Sequence, residues 1–256
     1  MSSQRFDLSG RNALVTGASR GLGRAIALAL ADAGANVALG LHDVSRDEGV
    51  ADEVRALGRR ALPLQMDVTR PDEVEASVQA TVEELGSLDL LVNNAGGGVP
   101  DRPVEEVSVT DFDWTIDVNL KGTFLACRAA FAPMRERGFG RIVNLSSQAA
   151  LVALPGEAIY CATKAAVSHL TRCLAVEWGR HGIAVNAVAP TFIRTPGTEP
   201  ALSDPAFRAE VEERIAALHR IGDPEEVSGA VVFLCSPAAS LITGETLVID
   251  GGWTSR

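Results

Sequence analysis

The sequence predicts a doubly wound α/β fold: one seven-stranded parallel sheet with helices on both faces. Two observations carry that expectation. From Asn12 onward, short apolar runs alternate with longer helical patterns across short connections, the pattern of strands linked by crossover helices. No internal repeat, low-complexity tract or Pro/Ser-rich linker divides the 256 residues. The chain, 1–256, therefore reads as a single domain, a size that buries roughly 70 to 75% of its unfolded surface.

The elements follow in order. Asn12 to Thr16 is an apolar run, Gly21 to Ala33 a helical pattern and Asn36 to Leu41 a second apolar run. Residues 46 to 58 read as a polar helix and 60 to 67 as a strand ending at Asp67. The amphipathic run 71 to 85 starts with Pro71, Asp72 and Glu73, as helix N-termini prefer. A strand over 89 to 93, a long helix over 111 to 137 and a strand over 141 to 147 come next. Pro155-Gly156 turns the chain into a helix over 158 to 180, whose stretch to Trp178 is rich in Ala and Leu and lacks Gly and Pro. A strand over 183 to 189, helices over 199 to 219 and 224 to 235, and a strand over 246 to 250 complete the pattern. The longest irregular stretch, Pro190 to Pro200, follows a strand end and is placed to act as a mobile substrate lid spanning 190–219.

Composition narrows the function classes. A hydrophobic content of 46%, 22% charged residues and no apolar run near membrane-spanning length describe a soluble globular protein with no membrane partner. The stretch from Met1 to Leu8 has no apolar signal-peptide core, so a cytoplasmic location is expected. Cys127, Cys161, Cys173 and Cys235 form no CxxC and read as free thiols in helices. The four histidines show no metal-ligand spacing, so no metal is expected. A net charge of −10 argues against a nucleic-acid partner and weakly disfavours docking of an acidic carrier protein.

Two motifs carry chemistry. Tyr160, the only tyrosine, precedes Lys164 by four residues, which stacks the two side chains on one face of a helix. A phenol of pKa about 10 is scarcely ionised at neutral pH, and a nearby ammonium favours the phenolate. Such a pair can exchange protons with an alcohol or ketone, and a serine at the end of the preceding strand can face it. Taken alone, the pair also fits a surface aromatic with a chance lysine one turn on. Thr16-Gly-Ala-Ser-Arg-Gly-Leu-Gly23 lies between the first strand and first helix, where glycines let the backbone approach a pyrophosphate. Its GxxxGxG spacing departs from GxGxxG, and alone it also fits an ordinary tight connection.

Together with Asn93-Asn94-Ala95-Gly96, Asn119, and Ser147 thirteen residues before Tyr160, these motifs resemble the short-chain dehydrogenase/reductase family over essentially the whole chain. The resemblance implies a Rossmann fold and an NAD(P)-dependent oxidoreductase. Tyr160 would be the general acid/base, and Lys164 would lower its pKa and bond the nicotinamide ribose. Ser147, rather than Ser146, would polarise the substrate oxygen, and Asn119 would anchor a water-mediated proton relay to Lys164. The resemblance also places Gly17, Ser19, Arg20, Gly21, Leu22, Gly23, His42, Asp67, Val68, Asn93, Ala95, Gly96, Pro190, Ile193 and Thr195 around the cofactor. Two departures, Thr191 where relatives often have glycine and Ala150 likewise, leave the catalytic groups intact.

The cofactor is expected to be NADP(H), because the second strand ends on Leu41 rather than an acid while Arg20 and His42 can face a 2′-phosphate. NAD(H), read by Asp43, is the alternative. The small-molecule substrate is expected to be a sugar acid or polyol, as for gluconate 5-dehydrogenase-like members; a 3-oxoacyl-thioester reductase is the second reading. A cofactor-binding regulator without catalysis is the remote one, disfavoured by the intact set of Asn119, Ser147, Tyr160 and Lys164. Phe192, Ile193 and Leu154 suggest a partly apolar pocket, with Gln148, Thr191, Arg194 and Thr195 as polar contacts. Homotetramer formation is implied through the helices 111 to 137 and 158 to 180.

Overall fold

The computed structural model describes residues 5–46 and 48–255. Its sheet has seven strands: β1 (Asn12–Thr16), β2 (Asn36–Leu41), β3 (Ala61–Gln65), β4 (Leu90–Asn93), β5 (Gly140–Leu145), β6 (Ile183–Pro190) and β7 (Thr246–Ile249). All pairings are parallel, in the order β3-β2-β1-β4-β5-β6-β7. The expected doubly wound parallel sheet is thus present.

Side-chain alternation along the strands builds a core on each face. Ala13, Val15, Leu90, Val92 and Val143 join one buried cluster with α1 (Gly21–Asp32), α2 (Val50–Ala56) and α9 (Pro224–Cys235). Their neighbours Leu14, Leu91, Ile142 and Val185 join the opposite cluster with α3 (Pro71–Leu85), α5 (Gly122–Arg137) and α6 (Ala158–Trp178). Both faces are covered, which explains strands that read as continuous apolar runs.

Three expected helices take a different form. The polar helix expected over 46 to 58 begins only at Val50, because Gly49 is left-handed (φ 82°) at its N-cap; residue 47 lies outside the described residues. The helix expected over 199 to 219 is split into α7 (Glu199–Leu202) and α8 (Pro205–Arg214). Pro205 cannot continue the first helix but suits the start of the second, where the Asp204 carboxylate accepts from Ala206 N at 2.9 Å. The long helix is α4 (Val109–Ile116) and α5 joined through one widened π turn, Asp117–Lys121, which carries Asn119. Such turns recur at functional sites.

At the N-terminal ends of the strands, a fully buried carboxylate joins several elements. Asp89 accepts from Asn12 N at 3.0 Å, Ser87 Oγ at 2.8 Å and Arg137 Nε at 3.1 Å. Asn12 in turn donates to Leu85 O and Ser87 Oγ and accepts from Asn36 Nδ2. Removing the carboxylate strands buried donors on β1 and near β4. Asp89→Ala is expected to cost about 3 kcal/mol in urea unfolding, whereas Asp117→Ala, which removes an exposed Lys121 partner, is expected to cost less than about 0.5 kcal/mol.

Candidate active site

The chain winds from β1 outward through β2 and β3, then returns to place β4 on the other side of β1. The loops after β1 and β4 therefore diverge at this point, and a crevice opens beyond the strand ends. Gly17, Ser19, Arg20, Gly21, Leu22 and Gly23 form the turn after β1. A Cβ at Gly23 would lie 2.1 Å from Gly17 O, so no side chain fits between turn and helix there. Arg20 caps α1 in an extended conformation, without a side-chain cap bond and without an acid in the first turn. The leading N–H groups of α1 are thereby suited to an anion such as a diphosphate.

The loop after β4 is tied to this turn. Thr16 Oγ1 accepts from Asn94 N at 3.0 Å and Ala95 N at 2.9 Å, while Asn94 Nδ2 donates to Thr16 O and Gly17 O, both at 3.0 Å. A Cβ on Gly17 would touch Ala95 Cα at 3.0 Å, and one on Gly21 would meet Thr195 Cβ at 3.4 Å. The glycine turn, Ala95 and Thr195 are thus neighbours although scattered in sequence. Asn93 differs from the expectation: its side chain donates into the core, to Asn144 Oδ1 at 2.8 Å and Cys127 Sγ at 3.2 Å. Asn94 is the residue that binds the turn, and the doubled Asn-Asn was the available signal.

At the ends of β2 and β3, Leu41 is buried and His42 and Arg20 are exposed. The Asp43 carboxylate accepts from Ser45 N at 3.0 Å and Ser45 Oγ at 2.6 Å. Asp67 accepts from Thr69 N and Oγ1, and Val68 packs beneath Gly122. Pro190 ends β6, and Ile193 beyond it is buried. The segment Pro190 to Pro200 packs through Phe192 against Phe207 and Trp253, at 5.7 and 5.8 Å between ring centroids.

Three consecutive residues at the end of β5 receive α6. Leu145 O accepts from Lys164 Nζ at 2.9 Å. Ser146 Oγ donates to Lys164 O at 3.1 Å and shares a 2.7 Å bond with Ser168 Oγ. Ser147 Oγ donates to Gln148 Oε1 at 2.8 Å and accepts from Ala149 N at 3.1 Å, with the Tyr160 phenol alongside it. Strand alternation thus assigns Ser146 to helix packing and Ser147 to the tyrosine. Lys164 Nζ lies 5.5 Å from the Tyr160 ring centroid.

The expected depression of the phenol pKa is not met in this geometry. Burial pushes Tyr160 up to about 12, opposed by the Ser147 hydroxyl and reinforced by Glu157. Burial likewise pulls Lys164 down to about 8. Desolvation of each charged form outweighs the attraction between them when the ammonium points at Leu145 O rather than at the phenol. Glu157, one turn before Tyr160, is pushed up to about 7 by burial and by Asp101.

Asn119 is 1% exposed and grips the loop after β4 through both amide atoms: Oδ1 accepts from Gly97 N at 3.1 Å and Nδ2 donates to Gly97 O at 2.7 Å. A Cβ on Gly96 would lie 2.6 Å from Asn119 Oδ1 and 3.2 Å from Lys164 Nζ. Gly96 therefore brings Asn119 and Lys164 to one place, and its missing side chain permits the approach. Gln148, expected as a polar contact of the substrate pocket, lies against Ser147, and Ser146, set aside in favour of Ser147, holds the helix instead.

Comparison with known proteins agrees with this geometry. A family model described as enoyl-(acyl carrier protein) reductase matches residues 17–254. The chain is 41% identical over 251 residues to a D-threitol dehydrogenase of Mycolicibacterium smegmatis, covering 98% of this chain and 95% of that protein. It is 42% identical over 246 residues to a 3-oxoacyl-[acyl-carrier-protein] reductase of Staphylococcus aureus, covering 94% and 97%. A crystal structure of a gluconate 5-dehydrogenase from Burkholderia cenocepacia, in complex with NADP and tartrate, superposes with a TM-score of 0.95 at 35% identity over 100% of both chains. With the glycine turn, the β4 loop and the Ser147–Tyr160–Lys164 group on one crevice, and with relatives matched nearly end to end, the chain belongs to the short-chain dehydrogenase/reductase family of oxidoreductases.

Proposed function

We propose that this enzyme interconverts a secondary alcohol and its ketone with a nicotinamide dinucleotide, and that its substrate is a polyol or sugar acid. The observation that carries the reading is the register of α6 on β5, which sets Tyr160 beside Ser147 with Lys164 one turn further on. The D-threitol and gluconate relatives support the substrate class. The 3-oxoacyl-thioester reading is supported by the similarity to 3-oxoacyl-[acyl-carrier-protein] reductases, among them the 42% identical staphylococcal one.

The uncapped start of α1 and the glycine turn would hold the diphosphate. Asp67 and Val68 would lie toward the adenine, and Ala95, Gly96, Pro190, Ile193 and Thr195 toward the nicotinamide half. When bound, the nicotinamide accepts or supplies the hydride. Ser147 orients the substrate oxygen, and in oxidation Tyr160 Oη takes the hydroxyl proton. In reduction it returns that proton. Lys164 would bond the ribose and favour the phenolate, with Asn119 steadying the loop beside it. NADP(H) is the favoured cofactor: Leu41 is buried, Asp43 is engaged with Ser45, and Arg20 and His42 are exposed. NAD(H) remains the alternative. Exposed Val109, Phe112, Trp114 and Phe124 on α4 and α5, and Val176 on α6, support association as a homotetramer through these helices.

Absorbance at 340 nm, with NAD(H) and NADP(H) crossed against gluconate, 5-ketogluconate, threitol and a short 3-ketoacyl thioester, tests the reading. Turnover of the sugar acid or polyol with NADP is expected; turnover of the thioester alone would replace it. Because oxidation needs the phenolate, kcat/KM for the alcohol is expected to rise with pH and that for reduction to fall. Lys164→Met is expected to displace the rise to higher pH and Tyr160→Phe to lower kcat by at least about 100-fold. An unshifted Lys164→Met profile would remove the lysine from this role. Sedimentation velocity of the full chain is expected to give four copies, and a monomer would exclude the tetramer.

A further inference from the structure

Gln148 stands beside the reacting centre with half of its side chain uncommitted. It is 2% exposed, in the short 3₁₀ turn Gln148–Ala150 that follows β5. Its Oε1 accepts the Ser147 hydroxyl proton at 2.8 Å, while among the described residues its Nε2 donates to no partner. A primary amide carries two N–H donors, and Nε2 is not among the fully enclosed polar atoms that lack a partner, so it stays open to a hydroxyl of a bound molecule. Ser147 itself is filled on two sides, donating to Gln148 and accepting from Ala149 N. When a substrate oxygen arrives at Ser147, it lies within one further hydrogen-bond length of the Gln148 amide. The two oxygens of a gauche 1,2-diol are separated by about that same length. A hydroxyl on the neighbouring carbon can therefore reach Gln148 while the reacting oxygen stays at Ser147 and Tyr160.

We infer that Gln148 is a specificity-determining residue that reads a hydroxyl on the carbon adjacent to the reacting one, so that the preferred substrates are vicinal diols and, in reverse, α-hydroxy ketones. The inference rests on the alcohol–ketone reading above and narrows it. The redox step is unchanged: the reacting carbinol loses a hydride to the oxidised nicotinamide and a proton to Tyr160, leaving the α-hydroxy ketone. The adjacent hydroxyl keeps all its bonds and only exchanges hydrogen-bond partners. A simple secondary alcohol leaves the amide unmatched, and so does a 3-oxoacyl thioester, whose chain carries no hydroxyl beside the reacting carbon. A site built to hydrogen-bond a hydroxyl rejects the analogue lacking it far more strongly than it discriminates between apolar groups.

The test is a matched pair of small substrates, butane-2,3-diol (each stereoisomer) and butan-2-ol, assayed at 340 nm with both cofactors for the native chain, Gln148→Met and Gln148→Glu. The native enzyme is expected to favour at least one diol by about tenfold or more in kcat/KM. In Gln148→Met that ratio is expected to fall toward one, whatever happens to the absolute rates. Gln148→Glu keeps an acceptor for Ser147 but lacks the donor, and gives a second reading of the ratio if the methionine variant melts early. A native ratio near one, or a ratio that survives both substitutions, overturns the inference while leaving the alcohol–ketone reading in place. If the native chain oxidises neither compound, nor any polyol or sugar acid, yet reduces the 3-ketoacyl thioester, the reading beneath falls and this inference with it.

Discussion

The attachment of Lys164 to the end of β5 is the interaction on which the site depends. Both polar ends of that residue are held by consecutive strand residues: the ammonium donates to Leu145 O, and the carbonyl accepts from Ser146 Oγ. A helix fixed at two atoms of one residue cannot slide or roll against the strand without breaking a buried hydrogen bond. Tyr160, four residues earlier on the same face, is thereby delivered to Ser147, the next residue along the strand. The arrangement uses the two periodicities together: alternation along β5 separates Ser146 from Ser147, and the helical repeat aligns Tyr160 with Lys164.

That placement has an energetic consequence. A phenol pushed up to about 12 and an ammonium pulled down to about 8 are groups whose charged forms the protein disfavours. Catalytic groups are commonly held in such costly surroundings because that is where their proton affinity can be tuned. The rest of the fold offsets the cost far from the crevice. The two apolar layers sandwiching the sheet, and the hydrogen-bonded group around Asp89, sit on the faces and at the N-terminal strand ends. The C-terminal ends are left for loops, uncapped helix termini and titratable side chains. Asn119 and the Thr16–Asn94 bonds then fix those loops to one another.

Much of the fold was legible because the signals were local. Strand β1, strand β2, helix α3 and helix α9 lie where apolar runs, an N-terminal proline and first-turn acids put them. Legibility failed where a single backbone decision mattered. Gly49 in a left-handed conformation shortens α2, Asp204-Pro205 divides the helix expected over 199 to 219, and the π turn at Asp117–Lys121 left no trace in residue periodicity. The four-residue step from Tyr160 to Lys164 and the glycine turn were visible in the spacing, and Ser147 through the family resemblance, whereas the inward turn of Asn93 was not readable. Asn93 and Asn94 are chemically identical, and only the pleat of β4 sends one to Asn144 and the other to the glycine turn.

By itself the sequence determined the fold class and the oxidoreductase family and named the groups proposed to carry chemistry, because periodicity, capping residues and family motifs are properties of neighbouring residues. The tertiary structure decided what those groups experience. Whether the lysine points at the phenol or at Leu145 O, how far burial moves each pKa, and which amide lies against Ser147 depend on residues far apart in the chain and on how completely water is excluded between them. Desolvation and hydrogen-bond direction are properties of a packed volume, and no pattern along the chain encodes them one residue at a time.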